Sequence, residues 1–330
     1  MQPLDEESLT RIADSYALGT ITSHWPATRG IENRNFFLAC GHENHSSEYV
    51  LTVMERPANA GDALTDLLDA CAAAGLPVPA AIRTRNDATG FELAGKPVML
   101  CPRLRGRHLV NPTAAQVEAV GRFLARLHVA TAPLSPRLPA YPRTAEWLRA
   151  RAEACKPYLP WFGGMLMGDA VDEVRALLGR NDVAALPKGA IHGDLFRDNA
   201  LFDARGLTGV LDFHHASRGF LVYDIAVAAN DWCVGPAGEI DSQRLLALLS
   251  AYHGIRRLDP DEVWLLPLFL LYAGLAFWLS RLEVAIDRHR GRAERANDPL
   301  PFQRIVNCRR TMPVTVDPWL LDQKVAARER

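Results

Sequence analysis

The chain has almost no net charge, −1 over its 330 residues. Nucleic-acid binders carry a marked basic excess, and anionic membranes draw basic segments, so neither a nucleic acid nor a membrane is expected as a partner. Paired cysteines are missing as well. Cys40, Cys71, Cys101, Cys155, Cys233 and Cys308 lie far apart with no CxxC, which excludes a zinc knuckle and argues against a disulfide frame. Reduced thiols in a cytoplasmic protein are expected instead. Met1 to Gly19 has early acids and no basic stretch leading into an apolar one, so no signal peptide is expected. The longest uncharged apolar run, Val263 to Leu279, falls short of the roughly 20 residues a spanning helix needs, and it contains Pro267 and Gly274. It reads as a buried core helix. Internal repeats and low-complexity segments are also lacking.

Apolar residues make up 48% of the chain, ample for sizeable cores and consistent with two domains. The first hundred residues read as strands at 21–25, 36–40, 48–54, 78–83 and 98–101, with helices at 6–18 and 62–74. Such runs of strands around few helices suggest an antiparallel sheet. Composition changes after Pro102. Helical patterns then follow at 114–128, 145–155, 165–178, 221–233, 242–252 and 261–285. The expected architecture is α+β, with a β-rich domain over 1–102, a mainly helical domain over 103–330, and a linker at Pro102 to Arg107.

The helical half is interrupted by Ile191-His192-Gly193-Asp194-Leu195-Phe196-Arg197-Asp198-Asn199, with Val210-Leu211-Asp212-Phe213 after it. Ala200–Phe202 and Leu207–Leu211 read as two strands joined by a turn at Asp203-Ala204-Arg205-Gly206, a hairpin that returns Asp212 beside Asn199. Phosphoryl transfer needs a carboxylate that orients an acceptor hydroxyl or takes its proton, and oxygen ligands for the metal on the phosphates. Mg²⁺ prefers one or two carboxylate or amide oxygens, with water and phosphate completing its shell. Asp194 fits the first task; Asn199 and Asp212 fit the second. Gly90 to Pro97 nearly matches GxxxxGK[ST], but Pro97 replaces the hydroxyl and no helix follows, so it reads as a hairpin tip. His214 and His215 are poor Mg²⁺ ligands, because that ion favours oxygen.

HGDLxxxN with the later Asp-Phe resembles the aminoglycoside phosphotransferase and choline kinase-like superfamily. Within it, Gly30-Ile31-Glu32-Asn33-Arg34-Asn35-Phe36-Phe37, Tyr223-Asp224-Ile225-Ala226, Asn230-Asp231-Trp232-Cys233 and Phe277-Trp278-Leu279-Ser280-Arg281-Leu282 are similar to homoserine kinases. The resemblance implies a two-lobed, protein kinase-like fold using ATP and Mg²⁺. It implies nucleotide contacts from Gly30 and Asn33 in a turn over the phosphates, from the backbone of Met99, Leu100 and Cys101 at an inter-lobe hinge, and from Leu51, Met99 and Phe213 as apolar walls for the base. It gives His192 a role in supporting the loop, and Asp224 one in opening or anchoring the next helix. The implied acceptor is L-homoserine, in threonine biosynthesis, with Asn35, Tyr223, Asn230, Asp231 and Arg281 as candidate contacts. One departure stands out: the superfamily usually carries a lysine on the third strand, and this chain has Thr52. Arg34, Arg56 and Arg197 are the candidates to neutralise phosphate in its place.

Other acceptors stay open. Choline would want an aromatic cage, for which Trp232, Trp278 and Tyr272 are available. An aminoglycoside would want an acidic site, yet the segment from Arg281 to Arg330 has more Lys and Arg than Asp and Glu. A non-catalytic nucleotide-binding module is the third alternative, prompted by Thr52 alone.

Overall fold

The computed structural model describes residues 4–27, 34–42, 45–54, 61–291 and 298–328. Gly30, Asn33 and Arg56 therefore lie outside the described residues. Chain contacts divide the protein into two units, Met1–Arg107 with Leu201–Leu211, and His108–Ala200 with Asp212–Arg330. The first break falls five residues after the composition change at Pro102, and most of the returning hairpin groups with the first unit.

The first unit is built on a five-stranded antiparallel sheet in the order β1-β2-β3-β5-β4. Its strands are β1 (Thr20–Pro26), β2 (Arg34–His42), β3 (His45–Val53), β4 (Gly90–Leu93) and β5 (Lys96–Pro102), with helices α1 (Glu6–Tyr16) and α2 (Gly61–Ala73). Alternation decides its faces. Phe36, Leu38 and Cys40 of β2 point into a core with Leu51 and Val53 of β3, Val98 and Leu100 of β5, and Ile12 and Tyr16 of α1. The opposite face carries the row Asn35, Thr52, Met99, paired across β2, β3 and β5. The Gly90 to Pro97 segment is a β-hairpin turning at Ala94 and Gly95, both with positive φ.

The strand expected at 78–83 does not form. Pro77 and Pro79 have no N–H to donate, and only Ile82 N reaches the sheet, bonding Leu100 O at 2.7 Å. Within the same unit, Arg107 and Phe202 exchange backbone hydrogen bonds at 2.9 Å, and Val210 N donates to Pro77 O at 2.8 Å.

The second unit is mainly helical. It comprises α3 (Ala114–Ala130), α4 (Ala145–Cys155), α5 (Trp161–Leu178), α6 (Asn181–Ala185), α7 (Leu221–Trp232), α8 (Ser242–His253), α9 (Pro260–His289), α10 (Leu300–Thr311) and α11 (Pro318–Arg328). Short strands β6 (Lys188–Ile191) and β9 (Ser217–Phe220) pair antiparallel in this unit, whereas β7 (Ala200–Asp203) pairs with β8 (Gly206–Val210) in a hairpin that belongs from Leu201 onward to the first unit. Helix α7 is apolar on nearly every side, and all of Leu221 to Asn230 is buried. It packs on α9, whose own apolar window is 78% buried within the protein. By length and composition α9 is long enough to cross a membrane; here it forms the core, as the run from Val263 to Leu279 suggested. Helices α10 and α11 were not expected. The signal for α10 was present at Phe302, Ile305, Val306 and Arg309, an i, i+3, i+4, i+7 face that is buried.

Helix α3 starts with a capping box: Thr113 Oγ1 accepts from Gln116 N, and Gln116 Oε1 accepts from Thr113 N. It crosses α8 at Gly121, where a Cβ would stand 2.3 Å from the carbonyl oxygen of Leu248. In an open helix, Gly→Ala stabilises by up to about 1 kcal/mol. Here the obstacle is rigid backbone, and overpacking of this kind costs about 1–3 kcal/mol. Gly121→Ala is therefore expected to lower the thermal midpoint, and a circular-dichroism melt with an unchanged or raised midpoint would contradict this packing.

Candidate active site

Strands β6 and β9 clamp the two ends of the segment that carries the motif. Register pairs Ile191 with Ser217, so the chain leaves at His192 and returns at Ala216. What shapes the loop between them is α7, which follows β9 directly. Its Asp224 is fully buried and accepts the N–H groups of His192 and Gly193, both at 2.8 Å. His128 Nε2 donates to the same carboxylate at 3.1 Å, and His128 Nδ1 lies 2.7 Å from the Tyr252 hydroxyl. Burial alone would raise the Asp224 carboxyl; the His128 hydrogen bond and the surrounding donors outweigh it and hold the group below the usual carboxylate value. Gly193 has φ +75°, and a Cβ there would stand 3.2 Å from His215 O. Glycine is needed at this position for both reasons.

The same helix holds the rest of the loop. Trp232 Nε1 donates to Leu195 O at 3.0 Å. Asp231 accepts from Arg197 N at 2.6 Å and from its Nε and Nη2 at 3.1 Å. His192, stacked on Phe213 at 4.6 Å between centroids, accepts from Asp194 N at 3.2 Å.

Asn199 Nδ2 donates to Asp194 O at 2.8 Å and to Asp194 Oδ2 at 3.1 Å. With the amide nitrogen engaged, Oδ1 is the atom available to a cation. Asp212 has φ 61° and ψ 62°, a left-handed conformation that costs a non-glycine residue about 1–2 kcal/mol. Its exposed carboxylate has no hydrogen-bond or ion-pair partner among the described residues. An amide oxygen and an unpaired carboxylate make a donor set suited to a hard, water-sharing ion. No group of three or more His, Cys, Asp or Glu able to hold a metal occurs among the described residues, so nothing here suits a softer, protein-enclosed metal.

Burial and then the Asp212 charge push the Asp194 carboxyl up to about 8, against the pull of Arg143. Arg143 was not anticipated from the sequence. It precedes α4, its guanidinium carbon lies 4.2 Å above the centre of the Phe277 ring, and its charge is felt by Tyr141, Tyr223 and Asp194. Tyr141 and Tyr223 share a hydroxyl hydrogen bond of 2.5 Å, and Tyr272 OH donates to Arg143 O. Arg281 lies over Phe302 at 4.7 Å; burial lowers its basicity, opposed by Asp198, Asp194 and Asp231.

The other expected contacts divide by geometry. Asn230 is a correction: it is buried, donates to Leu270 O and accepts from Arg309 Nε, so both ends of its amide serve packing. Asp231 and Arg197 are spent on each other, which removes Arg197 as a phosphate-neutralising cation. Asn35 accepts from the Thr52 hydroxyl at 2.8 Å in the first unit. Leu51 and Leu100 are fully buried in that unit's core, so neither side chain is placed to wall a nucleotide base; Met99 lies on the other face. Phe213 is buried against His192. Trp232 and Trp278 are both fully buried, which leaves no choline cage of the kind expected.

A family model described as "Phosphotransferase enzyme family" matches residues 25–259. A homoserine kinase from Pseudomonas aeruginosa is 37% identical over 302 residues, 91% of this chain and 93% of that protein. Another from Cupriavidus metallidurans is 34% identical over 325 residues, 96% of this chain and 98% of the relative. Among solved structures, a spectinomycin phosphotransferase with ADP and spectinomycin superposes with a TM-score of 0.66 at 12% identity, covering 100% of both chains. An aminoglycoside phosphotransferase from Alicyclobacillus acidocaldarius gives 0.67 at 14% identity, covering 99% of this chain and 98% of the other. The α+β, kinase-like fold is thus established, a small antiparallel sheet unit and a large helical one.

The elevated Asp194 carboxyl has a consequence for stability. An unfolded chain releases this proton near 3.8, whereas the folded one keeps it to about 8. Through that window the unfolded state binds fewer protons, so this residue makes stability fall as pH rises. Asp194→Asn is expected to raise the thermal midpoint by about 1–4 °C at pH 8 and by less at pH 5. Melts at the two pH values with equal differences, or with a lowered midpoint at pH 8, would contradict the cause assigned here.

Proposed function

This chain belongs to the phosphotransferase enzyme family, among its homoserine kinases, and from that premise we propose that it transfers the γ-phosphoryl group of ATP to the hydroxyl of L-homoserine. The observation that carries the reading is the convergence of Asp194, Asn199 and Asp212 at one end of a loop that α7 holds rigid. Asp194 receives the acceptor hydroxyl and takes its proton as the new P–O bond forms. The bond from the γ-phosphorus to the β-phosphate oxygen breaks, and ADP leaves with its electron pair. No phospho-enzyme is required. Asn199 Oδ1 and the Asp212 carboxylate would hold Mg²⁺, which supplies charge neutralisation on the phosphates. A cation on Asp212 would cancel one of the three influences that raise the Asp194 carboxyl, the others being burial and Asp198, and so favour its ionised form.

For the nucleotide we propose the backbone of Met99, Leu100 and Cys101 as the hinge partners of the base, with the Met99 side chain beside it. Gly30 and Asn33 remain the proposed phosphate turn. Tyr223 and Arg281 are retained as acceptor-side groups: Arg281 feels the Asp194 charge, and Tyr223 bears on Arg143, which Asp194 also faces. A cytoplasmic setting goes with this reading: all six cysteines are free and buried, as in a reducing compartment. Threonine biosynthesis is the corresponding pathway.

Three experiments test this proposal. Release of ADP is expected with L-homoserine and not with choline or an aminoglycoside; selective turnover of another acceptor would replace homoserine, and none with any acceptor would remove the enzymatic reading. Asp194→Ala is expected to abolish turnover, by at least about 10³-fold, with ATP affinity within a factor of about 3. Asp212→Ala is expected to weaken Mg²⁺-dependent nucleotide binding, measured by calorimetry with and without the metal. Full activity in either variant contradicts the role given to it.

A further inference from the structure

We propose that Arg143 binds the α-carboxylate of the acceptor, and that this guanidinium is what selects an amino acid over a plain amino alcohol. The inference rests on the homoserine reading and names the residue that senses the acid.

The first observation is an unsatisfied donor. Arg143 Nη1 is buried and has no hydrogen-bond partner among the described residues. An unpaired donor on a buried cation costs several times what an ordinary hydrogen bond contributes, so a native site that keeps one has a use for it. A buried guanidinium carries five donors in a fixed fork that matches a carboxylate.

The second observation is how firmly the residue is placed. Tyr141 N is bonded to Arg218 O at 2.9 Å, Tyr272 OH holds Arg143 O, and Thr144 caps α4 through Trp147 N at 3.3 Å. Phe277 covers one face of the guanidinium at 4.2 Å. The Trp147 ring lies 5.8 Å from it, and the charged or ionisable groups that bear on the cation among the described residues are two phenols, Tyr141 and Tyr223, and the Asp194 carboxylate. Phenol hydroxyls donate to a carboxylate as readily as they bond each other.

The third observation is the spacing the acceptor demands. In L-homoserine four bonds join the hydroxyl oxygen to the carboxyl carbon, a reach of about 5 Å when extended. An acceptor of that length needs a cation in the surroundings of Asp194, and Arg143 is such a cation, since each bears on the other's charge. Arg281 is the rival cation near Asp194, yet Asp198 and Asp231 also face it, so its charge is already partly answered by acids. Among the described residues the one carboxylate that bears on Arg143 is Asp194, and Arg143 carries the open donor.

The test compares acceptors as well as variants. With wild-type enzyme, L-homoserine is expected to exceed 3-aminopropan-1-ol, the same skeleton without the acid, by about 10³-fold or more in kcat/KM. L-homoserine amide, with the acid made neutral, should behave like the amino alcohol. Arg143→Met should lose about 10²-fold more in kcat/KM for L-homoserine, mostly through KM, than for 3-aminopropan-1-ol, whose own loss reads what the missing charge does to Asp194, so that the preference collapses while KM for ATP moves by less than about 3-fold. Arg143→Lys should recover part of the preference. A preference that survives in Arg143→Met overturns the inference alone. Equal wild-type turnover of the acid and the amide overturns it without any variant, which covers the case in which Arg143→Met does not fold. Wild-type enzyme inactive on L-homoserine but active on another alcohol overturns the acceptor reading and this inference with it.

Discussion

The site depends on one buried carboxylate. Asp224 has no exposed surface, yet it gathers two backbone N–H groups from the loop that carries Asp194 and the imidazole of His128. A lone ionised carboxylate would not persist there, because the desolvation cost would protonate it or expel it. Three donors make it stable, and in exchange they fix where His192 and Gly193 sit. From that fixed start the positive φ of Gly193 and the 3₁₀ turn at Arg197–Asn199 bring Asn199 back to the carbonyl and carboxylate of Asp194. The placement of Asp194 and Asn199 is thus set by a group that stands behind the loop.

Stability and chemistry pull in opposite directions at the same place. Asp194 is kept close to a second acid and away from water, and Asp212 adopts a backbone conformation that most residues avoid. Both features cost the folded state something, and the proposed function gives each a use once cationic and anionic ligands arrive. The tyrosine cluster and the Arg143 guanidinium over Phe277 supply a rigid wall to this region, with ring centroids 4.7 Å apart for Tyr141 and Tyr223 and 4.6 Å for Tyr223 and Tyr272.

Legibility from sequence followed how local the signal was. The loop was readable because His192, Gly193, Asp194 and Asn199 lie within one turn of chain and Asp212 is returned by a short hairpin. Helices α3, α7 and α9 were readable from apolar periodicity. Val78 to Arg83 misled, since β-branched residues there are interleaved with prolines that cannot pair. Arg143 escaped because nothing near it in the sequence marks it; only the third dimension brings Tyr141, Tyr223 and Asp194 around it. Asn230 and Asp231 were conspicuous for the opposite reason. Their polar groups sit in an apolar helix, and both turned out to be internal ties, to Leu270 and Arg309 in one case and to Arg197 in the other. A polar residue in a buried helix announces that something is being held, without saying whether it is a ligand or the protein itself.

Helix α7 imposes an asymmetry on how this protein can change through descent. Its Asp224, Asp231 and Trp232 grip successive parts of one loop, and their spacing works because seven residues make nearly two full turns. Inserting or deleting a single residue between them would rotate the later grips by about 100° away from the loop. The turn at Asp203 to Gly206 has no such obligation, because the ladder of β7 and β8 absorbs whatever length the tip takes. Lineages carrying this architecture should therefore tolerate length variation at that tip and show none within the helix that stands behind it.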